Sequence, residues 1–235
     1  MASSNFLTFR LSHRYGEGEM PQALYRAMYC KLSELAQPWG LQGLPQIPMK
    51  EHRGAFTFGV NYKKLDKASP IKHYLLGIAN RARSAPPADL AMNDDTLTVE
   101  FYPKKVRERW SYLMDVVFPA YVVVTGAYAG TLFDGDIAVE DAFLYDSDTE
   151  TYAPNPGYID PRHGVYRIWQ ANYWDRQLCR RSFNLEPEAI VKRLDGKVAR
   201  CEQFADGVIV ICSYDPLIGE DILKLNDLLL PLLRE

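Results

Sequence analysis

The chain has 235 residues and a formal net charge of −3, with 47% hydrophobic and 24% charged residues. These proportions are ordinary for a globular protein of one large domain or two small ones, and they exclude a disordered chain, a collagen-like repeat and a multi-span membrane protein. Four cysteines without CxxC spacing argue against a disulfide-stapled fold or a structural zinc site. The first residues show no basic stretch followed by an apolar one, so we expect a cytoplasmic protein.

In the first half of the chain, hydrophobic periodicity and Pro or Gly punctuation predict interspersed strands and helices. A Ser69–Pro70 pair, which is typical of a helix start, supports one of these helices. The predicted elements are a strand over 6–11, a helix over 21–36, an irregular loop over 38–48, a strand over 55–62, a helix over 71–83, a strand over 96–102 and a helix over 103–117 that Pro119 ends.

The second half contains more predicted strands, and no internal repeat is visible. The predicted elements are strands over 121–128 and 137–145, a loop over 146–162, a strand over 165–173, a helix from Pro187 that Gly196 closes, an apolar strand over 207–213 and a final helix over 219–230. Because helices and strands are interspersed without a strict βαβ period, we expect an α+β fold with a mixed, largely antiparallel sheet and helices packed on it. We expect one domain over 1–235 and, if the chain divides, a break near 146–162.

One segment approaches transmembrane length. Residues 116–133 carry no charge over 18 positions. Because Pro119, Gly126 and Gly130 interrupt this segment, we expect a buried strand with turns rather than a membrane span.

Motifs for catalysis and cofactor binding are missing. The sequence contains no GxGxxG, GxxxxGK[ST], HExxH, GxSxG or EF-hand loop, and its four histidines are widely spaced. Asp134 and Asp136 could begin a calcium loop, but Tyr145 stands where such a loop needs a glutamate. We therefore expect no enzyme, no catalytic residue, no metal and no cofactor.

A basic stretch over residues 104–109 is the main feature that favours a phosphate-bearing ligand. It leaves open two alternatives: an enzyme acting on a nucleotide or phosphate, and a nucleic-acid-binding module. Amphipathic helices often expose such stretches, and a nucleic-acid-binding domain is usually basic overall, whereas this chain has a pI of about 5.9.

The charge distribution is the most unusual feature of the composition. Residues 110–161 contain nine Asp or Glu and no Lys or Arg, whereas residues 1–109 have a net charge of +6. Acidic surfaces accelerate encounter with basic partners, and tyrosines often anchor protein interfaces. The candidate partner-binding residues are Asp134, Asp136, Glu140, Asp141, Tyr145, Asp146, Asp148, Glu150 and Tyr152. The alternative is a solvated acidic loop with core aromatics.

Several segments together resemble a known family. They are an early helix over 24–35 followed by Pro38–Trp39, the stretch 164–169, a helix after Pro187, the strand 207–213 with Asp215, and a Leu-rich final helix. In this order they resemble the immunity protein 52 family of bacterial polymorphic-toxin systems. The resemblance covers most of the chain but not the acidic segment over 134–160.

The resemblance implies a cytoplasmic antitoxin encoded beside a toxin that bacteria deliver to one another, often by the type VI secretion system (T6SS). The usual toxin of this family carries a restriction-endonuclease-like nuclease domain. No catalytic residues are implied. The hypothesis is therefore an immunity protein that binds and neutralises a cognate toxin, expected to be a nuclease effector, without binding a membrane or nucleic acid. The oligomeric state stays open.

Overall fold

The computed structural model describes residues 6–14, 20–44, 50–52, 55–61, 67–78, 94–146, 151–160 and 162–234. The chain divides into two compact units. The N-terminal unit comprises residues 9–130, and the C-terminal unit comprises residues 1–8 and 131–235. The expectation of one folding domain stays a prediction.

The strands of the N-terminal unit follow the order β1-β5-β4-β3-β2, and the pairs β2/β3, β3/β4 and β4/β5 are antiparallel. In β4 and β5, alternate side chains are buried, as expected for strands with one face on a core. The strands are β1 (Leu7–His13), β2 (Lys50–His52), β3 (Ala55–Val60), β4 (Ile71–Ile78) and β5 (Asp95–Phe101).

Two helices lie in the described part of the N-terminal unit. Helix α1 spans Pro21–Glu34 and buries Tyr25, Met28 and Leu32. Helix α2 is continuous but changes pitch: it comprises Trp110–Tyr112, a π-helical stretch over Leu113–Val117, and Phe118–Thr125. Two 3₁₀ turns, Pro103–Lys105 and Arg107–Arg109, precede it.

Aromatic rings form the centre of this unit's core. The ring of Phe9, which is fully buried, stacks on those of Phe101 and Phe118 at centroid distances of 5.2 and 5.7 Å. Trp39 packs edge-on against Phe101 at 5.3 Å, and its backbone carbonyl accepts a 2.6 Å hydrogen bond from the Tyr121 hydroxyl. Because such rings bury large apolar areas, this cluster joins β1, β5, α2 and the loop after α1.

In the described part of the C-terminal unit, four strands follow the order β10-β11-β9-β6, and β10 and β9 are both antiparallel to β11; β7 and β8 form a separate antiparallel hairpin. Every residue of β11 is buried. The elements are β6 (Ala129–Asp134), α3 (Gly135–Ala142), β7 (Phe143–Asp146), β8 (Thr151–Pro154), β9 (Ala171–Asp175), α4 (Arg176–Phe183), α5 (Pro187–Leu194), β10 (Arg200–Phe204), β11 (Gly207–Ile211) and α6 (Glu220–Arg234).

The predicted fold class, α+β with a largely antiparallel sheet and helices packed on it, is confirmed. The predicted helices that became α1, α5 and α6, and the strands that became β1, β3, β5 and β11, are also confirmed to within a few residues.

The predicted helix over 71–83 is wrong where it is described, because residues 71–78 form β4. Tyr74, Leu76 and Ile78 are buried at every second position, and β4 pairs with strands on both sides. The Ser69 hydroxyl accepts a hydrogen bond from the Ile71 N–H, so a cap-like residue here begins a strand. Residues 79–83 lie outside the described part of the chain.

The predicted strand over 121–128 is also wrong, since α2 continues to Thr125. Its last turns bury residues on nearly all sides, so no helical period is visible in the sequence. Pro119 does not end the helix as expected, because the π-helical stretch before it already interrupts the regular hydrogen-bond ladder. Gly126 ends it instead, with a positive φ of 56°.

Three further predictions in the C-terminal unit need correction. The predicted strand over 137–145 is mainly helix α3, because Asp134 caps it. The predicted loop over 146–162 contains β8. The predicted strand over 165–173 begins only at Ala171, since side chains such as Asn226 and Ser182 bind the preceding backbone N–H groups instead of a strand. Helix α4 and strands β2, β6 and β10 were not predicted.

The uncharged segment 116–133 therefore contributes to helix α2 and strand β6. Within the described ranges, no helix has both the length and the apolar character needed to cross a bilayer.

We expect one of the four thiols to react quickly in the native protein. Burial raises the pKa of Cys179 and Cys201 to about 12 and raises that of Cys212, whereas Cys30 is exposed on α1. Because the thiolate is the nucleophile, Ellman's reagent should titrate one thiol before unfolding and four after it. Cys30→Ser should abolish the fast reaction. Any thiol that still reacts quickly in that variant would contradict the burial of the other three cysteines.

Candidate functional site

Asp134 joins strand β6 to helix α3 and is 2% exposed. One carboxylate oxygen accepts a 3.0 Å hydrogen bond from the Asp136 N–H, which caps the helix, and the other accepts a 3.4 Å bond from the Gly219 N–H. A capping carboxylate accepts a hydrogen bond from a backbone N–H that has no partner within the helix, and its negative charge interacts favourably with the positive end of the helix dipole. Both carboxylate oxygens of Asp134 therefore accept hydrogen bonds from within the C-terminal unit.

Asp141 lies on the inner face of α3, one turn after the buried Ile137, and is 7% exposed. The guanidinium of Arg167 donates to both of its carboxylate oxygens; the Nε–Oδ2 distance is 2.5 Å. Burial alone would lower the pKa of Arg167, but the hydrogen bond and charge of Asp141 raise it. The two groups therefore form a two-pronged ion pair that fixes both position and orientation.

Neighbouring side chains enclose this pair. Arg167 also lies over the ring of Trp169, at 5.7 Å from its centroid. Asn155, just after β8, donates from its side-chain amide to the Asp141 carbonyl and from its backbone N–H to the Ala142 carbonyl, both at 2.9 Å. The end of α3 is thus attached to residue 167 on one side and to the β7–β8 hairpin on the other.

With the inner face held in this way, α3 and β7 expose a mixed acidic and apolar surface. Val139 and Glu140 lie three and four residues after Asp136, so these three helical members share one helix face. Val139 and Leu144 are each 50% exposed and Phe143 is 43% exposed. We call this the α3–β7 surface; it consists of Asp136, Val139, Glu140, Phe143 and Leu144.

This arrangement suits protein binding. Single exposed apolar residues are common, but three large ones are exposed within six positions; because Phe143 and Leu144 are consecutive in a strand, a partner that covers all three would pack on both sides of β7. The two exposed carboxylates on the same face would favour a cationic partner and oppose acidic ones.

The structure divides the sequence-predicted partner-binding residues. Asp136 and Glu140 are exposed, whereas Asp134 and Asp141 are buried in internal contacts. Tyr145, Asp146 and Tyr152 lie on the hairpin, with Tyr145 opposite Tyr152, but their side chains are not among those described. Asp148 and Glu150 lie outside the described residues.

Val139, Phe143 and Leu144 were not among the candidate partner-binding residues identified from the sequence. Val139 alone could have been found from its spacing of three from Asp136, which places both on one helix face, had residues 135–142 been assigned to a helix. No sequence signal says whether that face is inward or outward.

A metal centre has no support in the described part of the chain, where no three His, Cys, Asp or Glu side chains are grouped so that they could hold an ion.

Comparison with known proteins shows that the chain is similar in fold to a solved structure. No protein-family model and no curated protein sequence matches the chain. The solved structure of the Pseudomonas aeruginosa T6SS protein PA0821 is similar, with a TM-score of 0.56 and 12% identity over 97% of this chain and 76% of that one. At this identity the likeness shows a shared fold with a T6SS protein, and membership of the immunity protein 52 family stays a prediction.

Breaking the buried ion pair should destabilise the protein strongly. Asp141→Asn removes the hydrogen-bonded counter-charge of the largely buried Arg167, which should lower the free energy of unfolding by about 3–5 kcal/mol. Asp141→Leu with Arg167→Met removes both charges and should recover most of that loss. Urea unfolding followed by circular dichroism measures both effects.

The control is the exposed Glu220–Lys224 pair at 3.6 Å. Glu220→Gln should cost less than about 1 kcal/mol. An Asp141→Asn variant as stable as this control would mean that the pair does not hold α3.

Proposed function

We propose that this protein is an immunity protein of a T6SS, which binds a cognate toxin through the α3–β7 surface and thereby neutralises it. The fold shared with a T6SS protein supports the association with that system. The sequence resemblance supports the role of antitoxin. The α3–β7 surface is the observation on which the mode of action rests.

The chemistry of this surface fits a partner with a cationic groove. Its carboxylates, Asp136 and Glu140, would meet lysines or arginines of the partner, while Val139, Phe143 and Leu144 would enter apolar depressions beside them. A nuclease is such a partner, since its substrate-binding groove must attract phosphates. Occupying this groove would prevent nucleic acid from entering it.

Neutralisation in this proposal needs only binding. Of the described carboxylates in the acidic segment, Asp134 and Asp141 are removed from water, and both are used to hold α3. Asp136 and Glu140 are exposed and would act through charge, whereas Asp160 is half-buried and contacts Arg162. The inhibitor would therefore act stoichiometrically, and it would show no turnover of its own.

Coexpression tests the proposal directly. The gene beside this one should encode a toxin that arrests growth when expressed alone, and this protein should restore growth and co-purify with it at a fixed ratio. If the purified toxin is a nuclease, adding the protein should stop cleavage at equimolar concentration. Growth arrest that persists although both proteins are expressed and soluble would contradict the proposal.

Truncating the apolar anchors should accelerate dissociation of the complex. Phe143→Ala and Leu144→Ala should each weaken binding by about 1–3 kcal/mol, mainly through the dissociation rate, because anchors at an interface centre act in this way. Surface plasmon resonance with immobilised toxin measures both rates.

Leu228→Ala is the matched control, since Leu228 is 64% exposed on α6 of the same unit. It should leave both rates unchanged. Equal losses for Leu144→Ala and Leu228→Ala would place the binding surface elsewhere.

Neutralising the exposed carboxylates should slow association instead. Asp136→Asn with Glu140→Gln should reduce the association rate by about three-fold or more at low salt, and the difference should shrink at 0.5 M salt because screening removes steering. Asp195→Asn with Asp221→Asn removes the same charge from other exposed positions of the unit. If both double variants slow association equally, net charge rather than the α3–β7 surface is responsible.

A further inference from the structure

A cavity of about 890 Å³ opens in the N-terminal unit, far along the chain from the acidic segment. Its volume lies in the range of small-molecule sites, roughly 300–1,000 Å³. Three segments form it: the corner after α1, the residues before β4 and the 3₁₀ turns before α2. The lining residues are Gln37, Pro38, Trp39, Leu44, Ala68, Ser69, Pro70 and 104–109.

The walls of this cavity are fixed by internal hydrogen bonds. The Lys105 ammonium donates to the carbonyls of Lys67 and Ser69 at 2.9 and 3.0 Å, and the Tyr102 N–H donates to the Pro70 carbonyl at 2.9 Å. These bonds hold the 3₁₀ turns against the segment before β4. The cavity therefore exists before any ligand binds, which lowers the entropic cost of binding.

The charge of the lining is strongly positive. Lys104, Arg107 and Arg109 are exposed, and none of them forms a side-chain hydrogen bond or an ion pair with a described residue. Among the described residues of the lining, Glu108 is the sole carboxylate. By contrast, several arginines of the C-terminal unit have carboxylate partners; examples are Arg167 with Asp141 and Arg180 with Glu186.

We infer that this cavity binds a small phosphate-bearing molecule with at least two negative charges. Three cations on one cavity, with Glu108 as the only carboxylate among the described lining residues, repel one another, and an anion bound beside them relieves that repulsion. Arginine forks match the oxygens of a phosphate group, and Lys104 adds a point charge. The ligand is small rather than a nucleic-acid polymer, because the cations line a concavity and the chain as a whole is acidic.

This binding activity is independent of toxin neutralisation. Its residues belong to the N-terminal unit, whereas the α3–β7 surface belongs to the C-terminal unit. The variants that test one surface leave the other unaltered, so either proposal can fail without the other.

Isothermal titration calorimetry with inorganic pyrophosphate at 0.15 M salt tests the inference on the full chain. The unaltered protein should bind saturably with a dissociation constant below about 1 mM. Arg107→Gln with Arg109→Gln should weaken binding at least about ten-fold, because charge-assisted hydrogen bonds are lost. Arg10→Gln with Arg26→Gln removes two exposed arginines outside the lining and should change affinity by less than about two-fold at this salt.

Three results would overturn the inference: no saturable binding by the unaltered protein, equal losses in the two double variants, or binding of a single-stranded oligonucleotide that pyrophosphate does not displace. The last result would assign the surface to nucleic acid. Circular dichroism should show that both double variants are folded. If Arg107→Gln with Arg109→Gln is not, Lys104→Gln replaces it, with the same direction of effect expected.

Discussion

The buried pair of Asp141 and Arg167 is the interaction on which the proposed binding surface depends. A carboxylate removed from water must be compensated, and the guanidinium does so through both oxygens. This requirement places one face of α3 inward and leaves the opposite face outward. Replacing both charges by apolar groups need not destabilise the unit, so the distinctive contribution of the pair is the orientation that its two-pronged geometry imposes.

The same reasoning separates two roles within one acidic segment. Composition alone treats its carboxylates as equivalent, yet Asp134 and Asp141 hold the helix while Asp136 and Glu140 face solvent. The helix period produces this division, because positions 137 and 141 turn inward together and positions 136 and 140 turn outward together. An acidic segment is therefore partly an internal support and partly a candidate surface for a cationic partner.

The fold class could be predicted from sequence because many elements carry strong local patterns, such as the alternation in β5 or the continuous apolar run of β11. Prediction failed where a local pattern admits two structures. Residues 71–78 begin with a helix-like Ser–Pro start but pair with two strands, and residues 121–125 have a strand-like composition but end a buried helix. The acidic segment was identified as the candidate site. The burial of Asp141 within it, however, depends on Arg167, which lies 26 positions further along the chain. No local pattern contains that contact.

Hydrogen–deuterium exchange tests the central claim most directly. The protein would be measured alone and in complex with the proposed cognate toxin. If the α3–β7 surface is the docking site, the backbone amides of residues 136–144 should exchange more slowly in the complex, and the exchange rates of residues 104–109 should not change. Protection confined to other segments, with no change across 136–144, would contradict it.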